Sequence, residues 1–120
     1  MRVELIYHIC QNAEWDTARR LGIYNGSSQD LSDGFIHFST KGQVRTSAAK
    51  HRSGQDGLML LSVNPDTLGA ALKWEYSSKK QLFPHLYGKL PIEVVIRADP
   101  LRLDIDGFHI FPPGFPKDKG

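Results

Sequence analysis

Asp33-Gly34-Phe35-Ile36-His37-Phe38-Ser39-Thr40 is the stretch on which the reading of this chain turns. Asp33-Gly34 is a turn signal, because glycine takes positive φ without steric cost. Phe35 to Phe38 are strand formers, interrupted by His37. Thr40 with Gln43 three residues on is a capping box, which predicts a helix from Lys41 to about Arg52. His37 is thereby placed at a strand end close to free helix N–H groups, a setting that favours anions. Two readings of His37 stand side by side. One is a pocket histidine; the other is a half-buried ring satisfied by a backbone carbonyl.

Working outward, the 120 residues are enough for one core and too few for two. A 40% hydrophobic and 23% charged composition is that of a globular domain. The net charge of +2, from 15 basic and 13 acidic residues, neither demands nucleic acid nor excludes a phosphate-bearing ligand. Cys10 is the sole cysteine, so an internal disulfide and cysteine-based zinc sites are ruled out. No signal peptide and no long apolar run are present, which predicts a soluble cytoplasmic protein with no membrane partner.

Val3 to Ile9 reads as the first strand, with Tyr7-His8 at its exit. Asn12 is the expected N-cap of a helix whose Trp15, Ala18 and Leu21 share a face and which Gly22 ends. Ile23 to Asp33 reads as loop. Leu58 to Val63 is a continuous apolar run, the pattern of a buried central strand. Asn64-Pro65 opens one short helical turn. Leu72 to Tyr76 reads as a strand with Trp74 and Tyr76 on one face and Glu75 on the other. Phe83-Pro84-His85-Leu86-Tyr87-Gly88 reads as an ordered, non-helical loop. Ile92 to Arg97 and Leu101 to Ile105 read as the last strands, a hairpin about Ala98-Asp99-Pro100. Phe108 to Phe115 is an extended apolar tail, followed by a loose end at 117–120.

His8, His37 and His85 each interrupt an apolar stretch at a strand end or turn, whereas His51 and His109 read as surface residues. No two histidines are spaced as His-x-His or at i, i+4, so no metal site is expected. Glu75 lies between two aromatics, either as a plain outward charge or as a carboxylate that stabilises a bound group. Phosphate-binding glycine loops and nucleophile elbows are absent.

These motifs carry a resemblance. Tyr7-His8 with Trp15 and Ala18, then Asp33 to Ser39, Trp74-Glu75 and Phe83 to Gly88 are similar, over about Val3 to Ile96, to an uncharacterised bacterial family, domain of unknown function 952. More distantly, the strand ending in Tyr7-His8 resembles the first strand of the ADP-ribosyltransferase superfamily, which usually reads His-Gly-Thr; here Ile9-Cys10 follow the histidine. Phe35 to Ser39 resembles the Val-His-Leu-Ser strand of the NAD-dependent RNA 2′-phosphotransferases of that superfamily.

The elements above amount to an α+β domain over residues 1–116, with about six short strands and two helices in the N-terminal half; the resemblance implies that its sheets are split and strongly bent. It implies NAD as cofactor and a cleft in which His8 and His37 are catalytic, with Glu75 the candidate for the superfamily's third, glutamate position and His85 or Tyr87 as its substitutes. Tyr7, His37, Ser39, His85 and Tyr87 would bind the ligand. His8 would bond the nicotinamide ribose and His37 would face the nicotinamide or a phosphate, their rings opening together from adjacent strands. The expected function is an NAD-dependent ADP-ribosyl- or phosphotransferase acting on a small molecule, a nucleic acid end or a protein side chain. The alternatives are a non-catalytic nucleotide- or phosphometabolite-binding module, then a histidine-based metal enzyme. Fold analogy carries most of this, and fold alone does not fix function.

Overall fold

The architecture grows from two adjacent strands. The computed structural model describes residues 4–77 and 79–116; Val3, Ser78 and the tail at 117–120 lie outside them. Strand β1 (Ile6–Gln11) sends Ile6, His8 and Cys10 to one face and Tyr7 and Ile9 to the other, as the twofold strand repeat requires. The helix α1 (Asn12–Leu21) follows, then β2 (Ile23–Tyr24), the short helix α2 (Ser28–Asp33), β3 (Ile36–His37), β4 (Ser39–Thr40) and α3 (Val44–His51). Strand β5 (Leu58–Val63) lies antiparallel to β1, from Ile6 opposite Val63 to Gln11 opposite Leu58. The chain ends with β6 (Leu72–Tyr76), β7 (Leu82–Leu86), β8 (Leu90–Pro91), β9 (Val95–Leu103) and β10 (His109–Ile110).

Three sheets result. The largest has the order β10-β9-β5-β1-β4, so the apolar run 58–63 is central, as its composition implies. The second has the order β3-β7-β6, and β2 pairs with β8 in the third. The opening stretch belongs to two of them: β3 lies in the three-stranded sheet and β4 in the five-stranded one, and Phe38 alone joins them. Phe38 is buried, and its N–H donates to the Pro84 carbonyl at 2.9 Å.

The five-stranded sheet is covered on both faces. Ile6, Cys10, Leu61 and Val63 pack with Trp15 and Ala18 of α1 and with Tyr24, Ile36, Phe38, Leu86 and Leu90 of the small sheets. On the other face Tyr7, Leu58, Leu60 and Leu101 pack under Val44 and Ala48 of α3 and against Phe111. Each fully buried leucine contributes about 1.5–3 kcal/mol. No helix among the described residues is long and apolar enough to cross a membrane.

The mixed α+β class holds, and several local expectations do not. The described residues contain ten strands and three α-helices, not about six and two. The segment 23–33 is a strand and a helix rather than loop, because Ser27 and Asp30 form a reciprocal capping box. Gln43 does accept the Thr40 N–H, but a turn intervenes and α3 starts at Val44. Residues 83–86 are strand; Pro84 sits just past the two residues of β7 that pair with β3. The hairpin about Asp99 is one continuous strand, β9, and Ile92–Val94 is a 3₁₀ turn. β10 flanks only Leu103 and Arg102, so Pro100 lies where β9 is an edge, the position proline tolerates. His109 is buried rather than on the surface, its Nε2–H donating to the Gln55 carbonyl at 2.7 Å. Leu21 faces solvent.

Gly34 closes α2 at φ +87°, its N–H donating to the Asp30 carbonyl at 2.8 Å. Gly34→Ala should cost about 1–2 kcal/mol, the penalty for a Cβ in the left-handed region. Urea unfolding measures it, and a variant as stable as the parent would show that this cap is not needed.

Candidate functional site

The three-stranded sheet presents one polar face. The register sets His37 opposite His85 and His85 opposite Lys73, with Glu75 two residues further along β6. Strand alternation therefore brings Lys73, Glu75, His37 and His85 to the same side, and Phe35 and Tyr87 join them from the adjoining loops. Phe35 stacks on the His85 ring, with centroids 4.1 Å apart and planes inclined by 25°. It also touches His37 at 4.5 Å and Tyr87 at 5.1 Å, and the His37 and His85 rings meet edge to face at 5.5 Å.

Each histidine has its own carboxylate. His85 Nδ1–H donates to Glu75 Oε1 at 2.8 Å, and the Tyr87 hydroxyl donates to the same oxygen at 2.7 Å. These bonds, Tyr87 first and His85 second, hold the Glu75 carboxyl below its usual range, and the Tyr87 phenol is raised in return. Lys73 Nζ lies 5.3 Å from the Tyr87 ring centroid. His37 is flanked on both sides: Nδ1 is 2.6 Å from Asp30 Oδ1, and Nε2 is 3.0 Å from Asp33 Oδ2.

Asp30 is the buried anchor of this arrangement. Its Oδ1 accepts from the His37 backbone N–H at 3.1 Å as well as from the ring, and its Oδ2 accepts the Ser27 N–H at 2.8 Å. Burial alone would raise its carboxyl, but the His37 ring and these amides more than offset that and hold it at about 2.

His8 lies behind the face, not on it. It is 4% exposed and sits in the core beneath Phe38 and Tyr24. Burial lowers its pKa, against the pull of nearby Asp30, so the ring is neutral at pH 7. A carbonyl only accepts, so Nδ1–H donates to the His37 carbonyl at 2.5 Å and Nε2 accepts the Tyr24 hydroxyl at 2.7 Å. The backbone-satisfied histidine of the sequence analysis is thus His8 rather than His37. Burial also pushes the Cys10 thiol up to about 12, which removes it as a nucleophile.

Of the expected site residues, His37, Glu75, His85 and Tyr87 converge. His8 does not open beside His37, because its ring is buried in the core behind β3, bonded to the His37 carbonyl, whereas the His37 ring is on the outer face. Tyr7 points to the opposite face of β1, buried edge-on against Phe115 at 4.9 Å. Ser39, paired with Tyr7, is buried there too and donates to Ser47 Oγ at 3.1 Å. Phe35, Asp30, Asp33 and Lys73 were not anticipated. The Ser27-x-x-Asp30 capping pattern was the available sign of α2 and hence of Asp30. No group of three or more metal-ligating side chains among the described residues is placed to hold an ion.

A polar, histidine- and carboxylate-bearing sheet face on an α+β scaffold defines the class of protein. The chain belongs to the family described as Protein of unknown function (DUF952), whose model matches residues 9–98. Among solved structures, the crystal structure of protein CC0527 from Caulobacter crescentus is 47% identical, with a TM-score of 0.85. That match covers 88% of this chain and 93% of that one. The solution structure of CC0527 is 48% identical with a TM-score of 0.79, covering 87% and 90%. A search of curated proteins gives no match.

Proposed function

We propose that the Phe35–His37–Glu75–His85–Tyr87 face is the site of an NAD-dependent transferase that moves the ADP-ribosyl group to an acceptor. One observation supports this reading above the others. Glu75, with its side chain 39% exposed, is a carboxylate fixed by two donors beside two histidines and an aromatic ring. Ionised carboxylates stabilise positive charge that develops on a sugar carbon as its bond to a leaving base lengthens. Asp33 and Asp30 add to that negative field.

The bond broken joins ribose C1′ to the base nitrogen, which keeps the electron pair, and the bond formed joins C1′ to the acceptor. His85, with Nδ1–H committed to Glu75, has Nε2 as the nitrogen to take the acceptor's proton. The fit to NAD is partial. The face supplies the carboxylate and flat rings against which a base stacks, but His8, with both nitrogens engaged in the core, cannot meet the ribose.

That burial favours a second reading, a binding-only module, as does the openness of the face, since transfer chemistry works best where water is excluded. Nicotinamide release from NAD separates the two. The transferase reading expects release that falls about 10²–10³-fold in Glu75→Gln, the scale for losing one electrostatic stabiliser. No release, with a melting temperature raised by NAD or ADP-ribose, supports the module. Neither release nor shift sinks both.

A further inference from the structure

We propose that the groove beside α3 is a second, separate site for a small aromatic or otherwise flat carboxylate, read by Arg45. A groove of about 330 Å³ runs between α3 and the approach to β10. Ala48 and Ala49 line it on the helix side, Phe108 and Phe111 on the other, with Ser53 and Gly107 also at its walls. The small alanines leave room for a flat body, and Phe108, 63% exposed, offers a ring to lie against.

Arg45 is the charged group of the groove. Its guanidinium lies over the Phe111 ring at 4.9 Å, and it makes no ion pair among the described residues. Among the described residues its buried Nε has no hydrogen-bond partner, an atypical state for an arginine that folding has placed for structural reasons alone. Among the described residues no carboxylate lines the groove. Nε–H and the neighbouring Nη–H lie side by side along one edge of the planar guanidinium. A carboxylate accepts that pair in a planar, two-bond fork. Ser53 and the turn at Gly107 stand at the rim. The site shares no residue with the His37 face, being on the α3 side of the five-stranded sheet.

Benzoate is the probe, benzamide its uncharged isostere, and the readout is the ¹⁵N–¹H spectrum of the full chain, which includes the Arg45 Nε–H signal. Benzoate should shift Arg45 Nε–H, Ser53, Gly107 and Phe108 saturably, and benzamide should leave them in place. Arg45→Met, which keeps the aliphatic stem over Phe111, should weaken benzoate binding about tenfold or more, the scale of a charge-assisted fork. If Arg45→Met does not fold, Phe108→Ala serves instead, with several-fold weaker binding expected because this exposed ring is a wall of the groove. Equal shifts with benzamide, shifts scattered over the basic surface, or full binding by the variant would overturn the proposal.

Discussion

Asp30→Asn should destabilise the protein by about 1–3 kcal/mol, the cost of leaving a buried donor without its acceptor. Asp30 is 3% exposed and meets the His37 ring at 2.6 Å, the His37 N–H at 3.1 Å and the Ser27 N–H at 2.8 Å. An asparagine keeps the shape but has one acceptor oxygen where the carboxylate has two. Its NH₂ then faces either the Ser27 N–H or the donors of His37, and a buried donor is left unpaired. The loss reaches the site, because Asp30 sets both the backbone and the ring of His37.

Acid offers an independent check on Asp30. Its folded value of about 2 lies below the ordinary 3.8, so its contribution is complete above about pH 4 and is lost as pH falls toward 2. The difference amounts to about 2 kcal/mol. Urea unfolding at pH 7 and at pH 3 measures both effects: the parent should lose stability between them, and Asp30→Asn should have lost that part of the slope. A variant within 1 kcal/mol of the parent at pH 7, with the acid slope intact, would remove Asp30 as the anchor.

What the sequence made legible divides along physical lines. The run 58–63 is apolar at every position but Ser62 and needs no knowledge of its partners, so its central place was readable. Gly22 and the alternation in 72–76 were readable for the same reason, since both are local. Residues 23–33 were not, because Asn25-Gly26 announces a turn and α2 has only six residues to set against it. Its evidence was the side-chain exchange between Ser27 and Asp30, which a hydrophobic pattern does not register. β9 was split in two because proline commonly ends a strand, whereas Pro100 survives at an edge that only the tertiary arrangement creates.

The site divides in the same way. His37, Glu75, His85 and Tyr87 stood out as polar groups in apolar strands, and pairing across β3, β7 and β6 collects them. Tyr7 and His8 are adjacent, so β1 must send them to opposite faces, and they could not both line one cleft with Ser39. The alternation of Ile6, His8 and Cys10 already put His8 on an apolar face. Resemblance to a catalytic motif outweighed that local signal.

His8→Phe is the substitution that separates those two descriptions, and it should cost about 2–5 kcal/mol. Phenylalanine fills the space between Tyr24 and Phe38, so little packing is lost; the damage is to the groups left behind. The Tyr24 hydroxyl loses the Nε2 acceptor and the His37 carbonyl loses the Nδ1–H donor, each an orphan worth about 1–3 kcal/mol when buried. The pH profile should change too. His8 has a folded pKa below 6.5, so in the parent its contribution is complete above 6.5 and declines as pH falls, because the unfolded chain takes the proton first. In His8→Phe that decline between pH 6.5 and 5 should flatten. Because the ring meets that face only from behind, at the His37 backbone carbonyl, folded His8→Phe should keep its affinity for whichever of NAD or ADP-ribose shifts the parent's melting. A variant that unfolds like the parent but no longer binds that nucleotide would return His8 to the site, in the ribose-binding role the superfamily assigns its first-strand histidine.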